Sequence, residues 1–97
     1  MTDRNLDIVK EIVLTGLAGC RARVYLFGSR ASGTAGPRAD IDVAVDPLAP
    51  IPSGVLSRIR ENLEESSTPY VVDLVDLTNV SPEFRKEVID SGVEWTD

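Results

Sequence analysis

The stretch Val24–Val45, VYLFGSRASGTAGPRADIDVAV, decides how this chain is read. A short apolar run, Val24–Phe27, breaks at Gly28-Ser29, and a second, Val43–Val45, follows Asp40-Ile41-Asp42. An apolar run without alternation is the pattern of a strand buried on both faces. The chain then turns at Gly28, Ser29–Ser32 is expected to open a short helix, and Gly33 and Gly36-Pro37 end it. Backbone N–H groups at such a turn point outward and suit a phosphate. Taken alone, Gly28-Ser29 is only a turn. Its coupling to two acids ten residues on is what gives it weight.

Side chains alternate along a strand, so Asp40 and Asp42 share a face with Ala44, while Ile41, Val43 and Val45 take the other. Twice the strand rise sets the two Cα atoms roughly 6.6 Å apart. Carboxylates converging at that distance repel unless a cation lies between them. A third strand is expected over Tyr70–Leu77, with Val71, Asp73 and Val75 on one face and Val72 and Leu74 on the other. An acid inside such a strand costs several kcal/mol, on the order of 3–5, if left buried and unpaired. The simplest account sets Asp73 beside Asp40 and Asp42. Asp76 has the opposite parity, and Asp46 lies roughly 13 Å along the strand from Asp42. Both are read as strand-end acids in water.

The Gly28-Ser29 turn followed at this spacing by Asp40-x-Asp42 resembles the signature of the DNA-polymerase-β-like nucleotidyltransferase superfamily. At this length the chain is most similar to the minimal nucleotidyltransferases (MNT). The match rests on Val24–Val45, and the later elements follow the family's order. The resemblance implies an α/β (α+β) fold of the polymerase-β type: a small mixed sheet with helices packed on one face and carboxylates on the other. It implies that Asp40, Asp42 and Asp73 are catalytic and metal-binding, with Asp40 and Asp42 holding both of two ions. Asp73 would hold one and help deprotonate the acceptor. Mg²⁺ is the expected ion, because every ligand is a hard oxygen. Gly28 and Ser29 would bind the β- and γ-phosphates of a nucleoside triphosphate, ATP above all. Arg30 could reach a phosphate oxygen by position, and Arg38 is a weaker candidate.

The same resemblance implies a partner. Minimal nucleotidyltransferases pair with a small helical HEPN-domain protein in what resembles a toxin–antitoxin module, where the nucleotidyltransferase adenylylates its partner. Residues 1–97 read as a single minimal nucleotidyltransferase domain, leaving no sequence for an acceptor domain. The acceptor surface is therefore expected from another copy of the chain or from a different protein. Two alternatives stay open: an antitoxin acting by binding alone with a weak or idle site, and a transferase acting on a small molecule or an RNA end.

Composition narrows the chemistry further. There is no histidine, so a Ser-His-Asp triad, a Cys-His pair and a histidine metal site are all excluded. The only lysines are Lys10 and Lys86, and no G-x-x-x-x-G-K is present, so there is no P-loop. A single cysteine, Cys20, allows no internal disulfide and reads as a small apolar filler. The net charge of −6 argues against a general nucleic-acid binder, which needs a basic footprint. With 42% hydrophobic and 27% charged residues the chain reads as an ordinary globular domain. It shows no membrane-spanning run and no signal peptide, which points to the cytoplasm.

The remaining segments are expected to cover the sheet. Residues 3–19 carry Leu6, Val9, Val13 and Leu17 at helical spacing, with Ile12 widening the stripe and Gly19 as the stop. After a loop stiffened by Pro47, Pro50 and Pro52, Ser53 is expected to cap a helix that buries Leu56, Ile59 and Leu63. Ser81-Pro82 opens a last helix with Phe84, Val88 and Ile89 on its inner side and Gly92 at its end. Val93-Glu94-Trp95 is expected to add a short edge strand, with Trp95 packing rather than stacking on a base.

Overall fold

Val9 and Val13 are completely buried on one side of the first helix, α1 (Arg4–Gly16), and that side roofs the main core. The computed structural model describes residues 4–33 and 40–96. α1 ends three residues before Gly19, because the chain tightens into a turn in which the Leu17 N–H still donates to the Val13 carbonyl at 3.1 Å. Under α1 lies a four-stranded mixed sheet of order β3-β2-β1-β4. β1 (Ala22–Phe27) runs antiparallel to β2 (Ile41–Pro47), with Leu26 opposite Val43 and Phe27 opposite Asp42. A four-residue helix, α2 (Ser29–Ser32), sits in the connection between them.

β2 leads through α3 (Val55–Glu64) into β3 (Val72–Asp76), which pairs parallel to β2. Parallel neighbours need a crossover of this kind. The crossover starts differently from the sequence expectation. Gly54, in the left-handed region at φ 88°, takes the N-cap position without a side-chain cap, so Ser53 falls one residue too early for its hydroxyl. Arg60 on α3 donates to the Leu74 carbonyl at 3.0 Å, covering a strand-edge acceptor. A 3-10 turn (Leu77–Asn79) then carries the chain to α4 (Pro82–Ser91) and to β4 (Val93–Glu94), antiparallel to β1. The Ser81 hydroxyl accepts from the Phe84 N–H at 3.2 Å, as the Ser-Pro pair predicted.

The parity read from the sequence holds on both faces. Ile41, Val43 and Val45 join Val24, Leu26 and Leu74 in one cluster with Val9, Val13, Leu17, Ile59 and Leu63 of the covering helices. Each such buried aliphatic side chain contributes about 1.5–3 kcal/mol. The other face is not left to the acids alone. Tyr25 and Ala44 form a second cluster there with Leu77 and Val88, and Phe27 meets Phe84 edge to face at 5.9 Å. α4 therefore shares the carboxylate face, an addition to the expected layering with a simple cause. Tyr25 and Phe27 alternate with the buried Val24 and Leu26 and must themselves be covered. Among the described residues no helix is long and apolar enough to cross a membrane.

Candidate active site

The acids gather at the end of the sheet where β1 ends and β2 begins. Parallel pairing sets Asp42 directly beside Asp73, and neighbouring strands lie about 4.8 Å apart. Asp40 stands one residue ahead of β2, exposed, with its neighbour Ile41 anchored by an N–H donated to the Val71 carbonyl at 2.9 Å. Asp42 is half-buried and Asp73 is exposed. Asp73 therefore pays no burial penalty; β3 is an edge strand, and its face is open at that point. Parity, not burial, places Asp73 beside Asp42.

Gly28 closes the site from the β1 side. Its φ of +75° lies in the left-handed region that side chains rarely adopt, and a Cβ there would stand 2.5 Å from Asp42 Oδ2. The turn is thus folded down against the Asp42 carboxylate. Ser29 opens α2, and the Ala31 N–H returns to the Gly28 carbonyl at 3.1 Å. Arg30 lays its guanidinium over the Tyr70 ring, 4.3 Å from the centroid. Arg38, together with Gly36-Pro37, lies outside the described residues.

The electrostatics follow from this crowding. Burial, then the charges of Asp73 and Asp40, push the Asp42 carboxyl above its ordinary value of 3.8. A group penalised by two like charges is one that a cation would relieve. The donors are all carboxylate oxygens, which suit a hard divalent ion. Among the described residues, however, no three acids converge closely enough to enclose an ion as they stand. The fit is one of charge and donor type, not of a ready-made cage.

Of the two other acids read as strand-end groups in water, Asp76 does end β3, with its hydrogen bonds exposed, but Asp46 behaves differently. Asp46 is 5% exposed and paired with Arg85 of α4, Nη2 to Oδ2 at 2.8 Å and Nε to Oδ1 at 3.3 Å. Its parity points it to the face that α4 covers, so it must be buried and partnered. Asp76 caps the 3-10 turn, accepting from the Thr78 N–H at 2.9 Å and the Thr78 hydroxyl at 2.6 Å. An open groove of about 1180 Å³ between the Pro47–Gly54 loop, the 3-10 turn and α4 includes Asp46 and Asp76 but none of Asp40, Asp42 and Asp73. A smaller cavity of about 380 Å³ is lined by Tyr70 and Asp73, but not by Asp40 or Asp42, so the side-chain chemistry rather than the larger groove marks the candidate site. Sequence reasoning did not find Tyr70 in contact with Arg30; the only available signal was an aromatic residue just ahead of the strand that carries Asp73.

The fold has known counterparts. Residues 22–95 match the family model described as polymerase beta, nucleotidyltransferase. The chain belongs to that family. Over 63 residues it is 36% identical to the "probable protein adenylyltransferase MntA" of Haemophilus influenzae, a match covering 65% of this chain and 55% of that protein. The nucleotidyltransferase domain thus spans about half the length of this curated relative. Its fold superposes on a candidate minimal nucleotidyltransferase with a TM-score of 0.72 at 28% identity, covering 96% of this chain and 95% of that one. It also superposes on a chain of a toxin–antitoxin structure solved with AMP-PNP, with a TM-score of 0.68 at 26% identity, covering 90% and 72%.

Proposed function

We propose that this nucleotidyltransferase domain moves AMP from ATP to a hydroxyl on a partner protein, and that it is the antitoxin of a pair whose toxin is a small HEPN-domain protein. The observation that carries the reading is the pairing of Asp42 with Asp73 beneath the Gly28 turn. That places two carboxylates next to a turn of the kind that binds a polyphosphate, and the family reading assigns this constellation to nucleotidyl transfer. The likeness to a protein adenylyltransferase and to a chain of a toxin–antitoxin structure supports a protein acceptor. So does the open carboxylate end, where both Asp40 and Asp73 are exposed. A surface of this kind admits the side chain of a docked macromolecule.

In this reading Gly28 and Ser29 hold the β- and γ-phosphates, and Arg30 adds positive charge at the same edge. Asp40, Asp42 and Asp73 would hold the divalent ions, two Mg²⁺, and these would supply charge stabilisation for an in-line displacement. The acceptor oxygen forms a bond to the α-phosphorus as the bond from that phosphorus to the bridging oxygen breaks. Pyrophosphate leaves with the bridging oxygen. The acceptor's proton passes to the Asp73 carboxylate, the exposed base on the open side.

The test uses the protein encoded beside this chain, the two incubated with ATP and Mg²⁺. Label at the α-phosphate is expected to appear on the partner, and label at the γ-phosphate is not. Transfer of the γ-label, or of neither with the folded pair, would overturn the reading.

A further inference from the structure

We propose that Tyr70 is a positioning residue for the triphosphate: its ring holds the Arg30 guanidinium at the rim of the site between α2 and β3. The inference rests on the nucleotidyltransferase reading above. Arg30 follows directly on the Gly28-Ser29 turn, and Tyr70 lies three residues ahead of Asp73, roughly 10 Å along the chain direction. The stack at 4.3 Å therefore joins the two elements that flank the carboxylates. Tyr70 is itself fixed, being packed against the main core beneath α1 and α3. Ordering a long side chain costs on the order of 1.5–2 kcal/mol of entropy. The stack on Tyr70 contributes to that order before the ligand arrives.

The geometry of a guanidinium makes this arrangement productive. Stacking uses its flat face, while its N–H donors lie in the plane and point past the ring edge. A planar fork held in that way suits bidentate contact with phosphate oxygens. Cation–π attraction grows from roughly 0.5–1 kcal/mol at exposed sites to about 2 when desolvated, a factor of about three to thirty in affinity. The expected loss on removing the ring is of that size.

The experiment is a double-mutant cycle on the full chain, titrated by calorimetry with AMP-PNP in Mg²⁺. Tyr70→Leu keeps apolar volume and removes the ring, and is expected to weaken binding by roughly three- to thirty-fold. Tyr70→Phe keeps the ring and is expected to bind like the unaltered chain. Arg30→Ala is expected to weaken binding at least as much as Tyr70→Leu, and the double variant Arg30→Ala/Tyr70→Leu no more than Arg30→Ala alone. Thermal melting of each variant accompanies the titrations, and equal melting of Tyr70→Leu and Tyr70→Phe separates positioning from folding. Additive losses, or Tyr70→Leu binding as tightly as the unaltered chain, would overturn the inference and leave the nucleotidyltransferase reading in place. No Mg²⁺-dependent binding by the unaltered chain would overturn both.

Discussion

Replacing Gly28 with alanine tests the contact on which the site depends. Two penalties add at this position. An alanine at φ +75° pays about 1–2 kcal/mol for the left-handed backbone. Its Cβ would stand 2.5 Å from Asp42 Oδ2, nearly an ångström inside ordinary contact, so the Asp42 side chain must turn away. Displacing a side chain from its rotamer costs about 0.5–1.5 kcal/mol more. Gly28→Ala should therefore lose about 1.5–3.5 kcal/mol of stability in metal-free buffer. Gly19→Ala is the internal control. Its φ of +85° carries the same backbone penalty, but nothing lies within 4 Å of the added Cβ. Urea unfolding measures both, and a loss of 1 kcal/mol lowers the melting temperature of a domain this size by roughly 4–8 °C. Adding Asp42→Ala to Gly28→Ala removes the clash and should bring the loss back to the Gly19→Ala level. Affinity for AMP-PNP with Mg²⁺ should fall at least roughly tenfold in Gly28→Ala and stay unchanged in Gly19→Ala. Equal stability and equal affinity in the two single variants would show that the turn does not press on Asp42 and would refute the reasoning.

Four further outcomes follow from the same geometry. Asp42→Asn should abolish transfer yet be at least as stable as the parent without metal, because it relieves the repulsion that raises the Asp42 carboxyl. The sign is opposite to that of a salt-bridged acid. A folded-state value above 3.8 means the folded protein holds the proton more readily, so the parent should gain stability relative to Asp42→Asn as pH falls toward 3.8, read by urea unfolding in EDTA. Asp73→Ala should cut transfer by a factor on the order of 10²–10⁴ with stability changed by less than about 0.5 kcal/mol. Asp76→Ala, which loses both Thr78 contacts, should destabilise by about 1 kcal/mol and leave transfer intact. Asp46→Ala should cost about 1.5–3 kcal/mol in urea unfolding through loss of the Arg85 pair, without effect on nucleotide affinity.

Much of this was legible because local periodicity settles it. The parity of β2 followed from Asp40-Ile41-Asp42 alone, and the Ser81-Pro82 pair set the start of α4. Most of the unread features are those in which distant residues meet. Asp46 shares the parity of Asp42, but nothing local announced that Arg85, thirty-nine residues on, would bury it. Ser53 looked like a cap because serine usually is one; the left-handed turn at Gly54 displaced it. The second core around Tyr25 and Ala44 was hidden in a short apolar run whose buried inner and outer faces look alike in sequence. The raised Asp42 carboxyl depends on a register between β2 and β3 that spacing could suggest but not fix.

The most direct measurement is nucleotide binding with and without metal. AMP-PNP titrated into the chain in Mg²⁺ should bind substantially more tightly than in EDTA, where three neighbouring carboxylates repel the polyphosphate. Asp42→Asn should lose most of that difference while remaining folded. Equal affinity of the unaltered chain in Mg²⁺ and in EDTA would contradict the account.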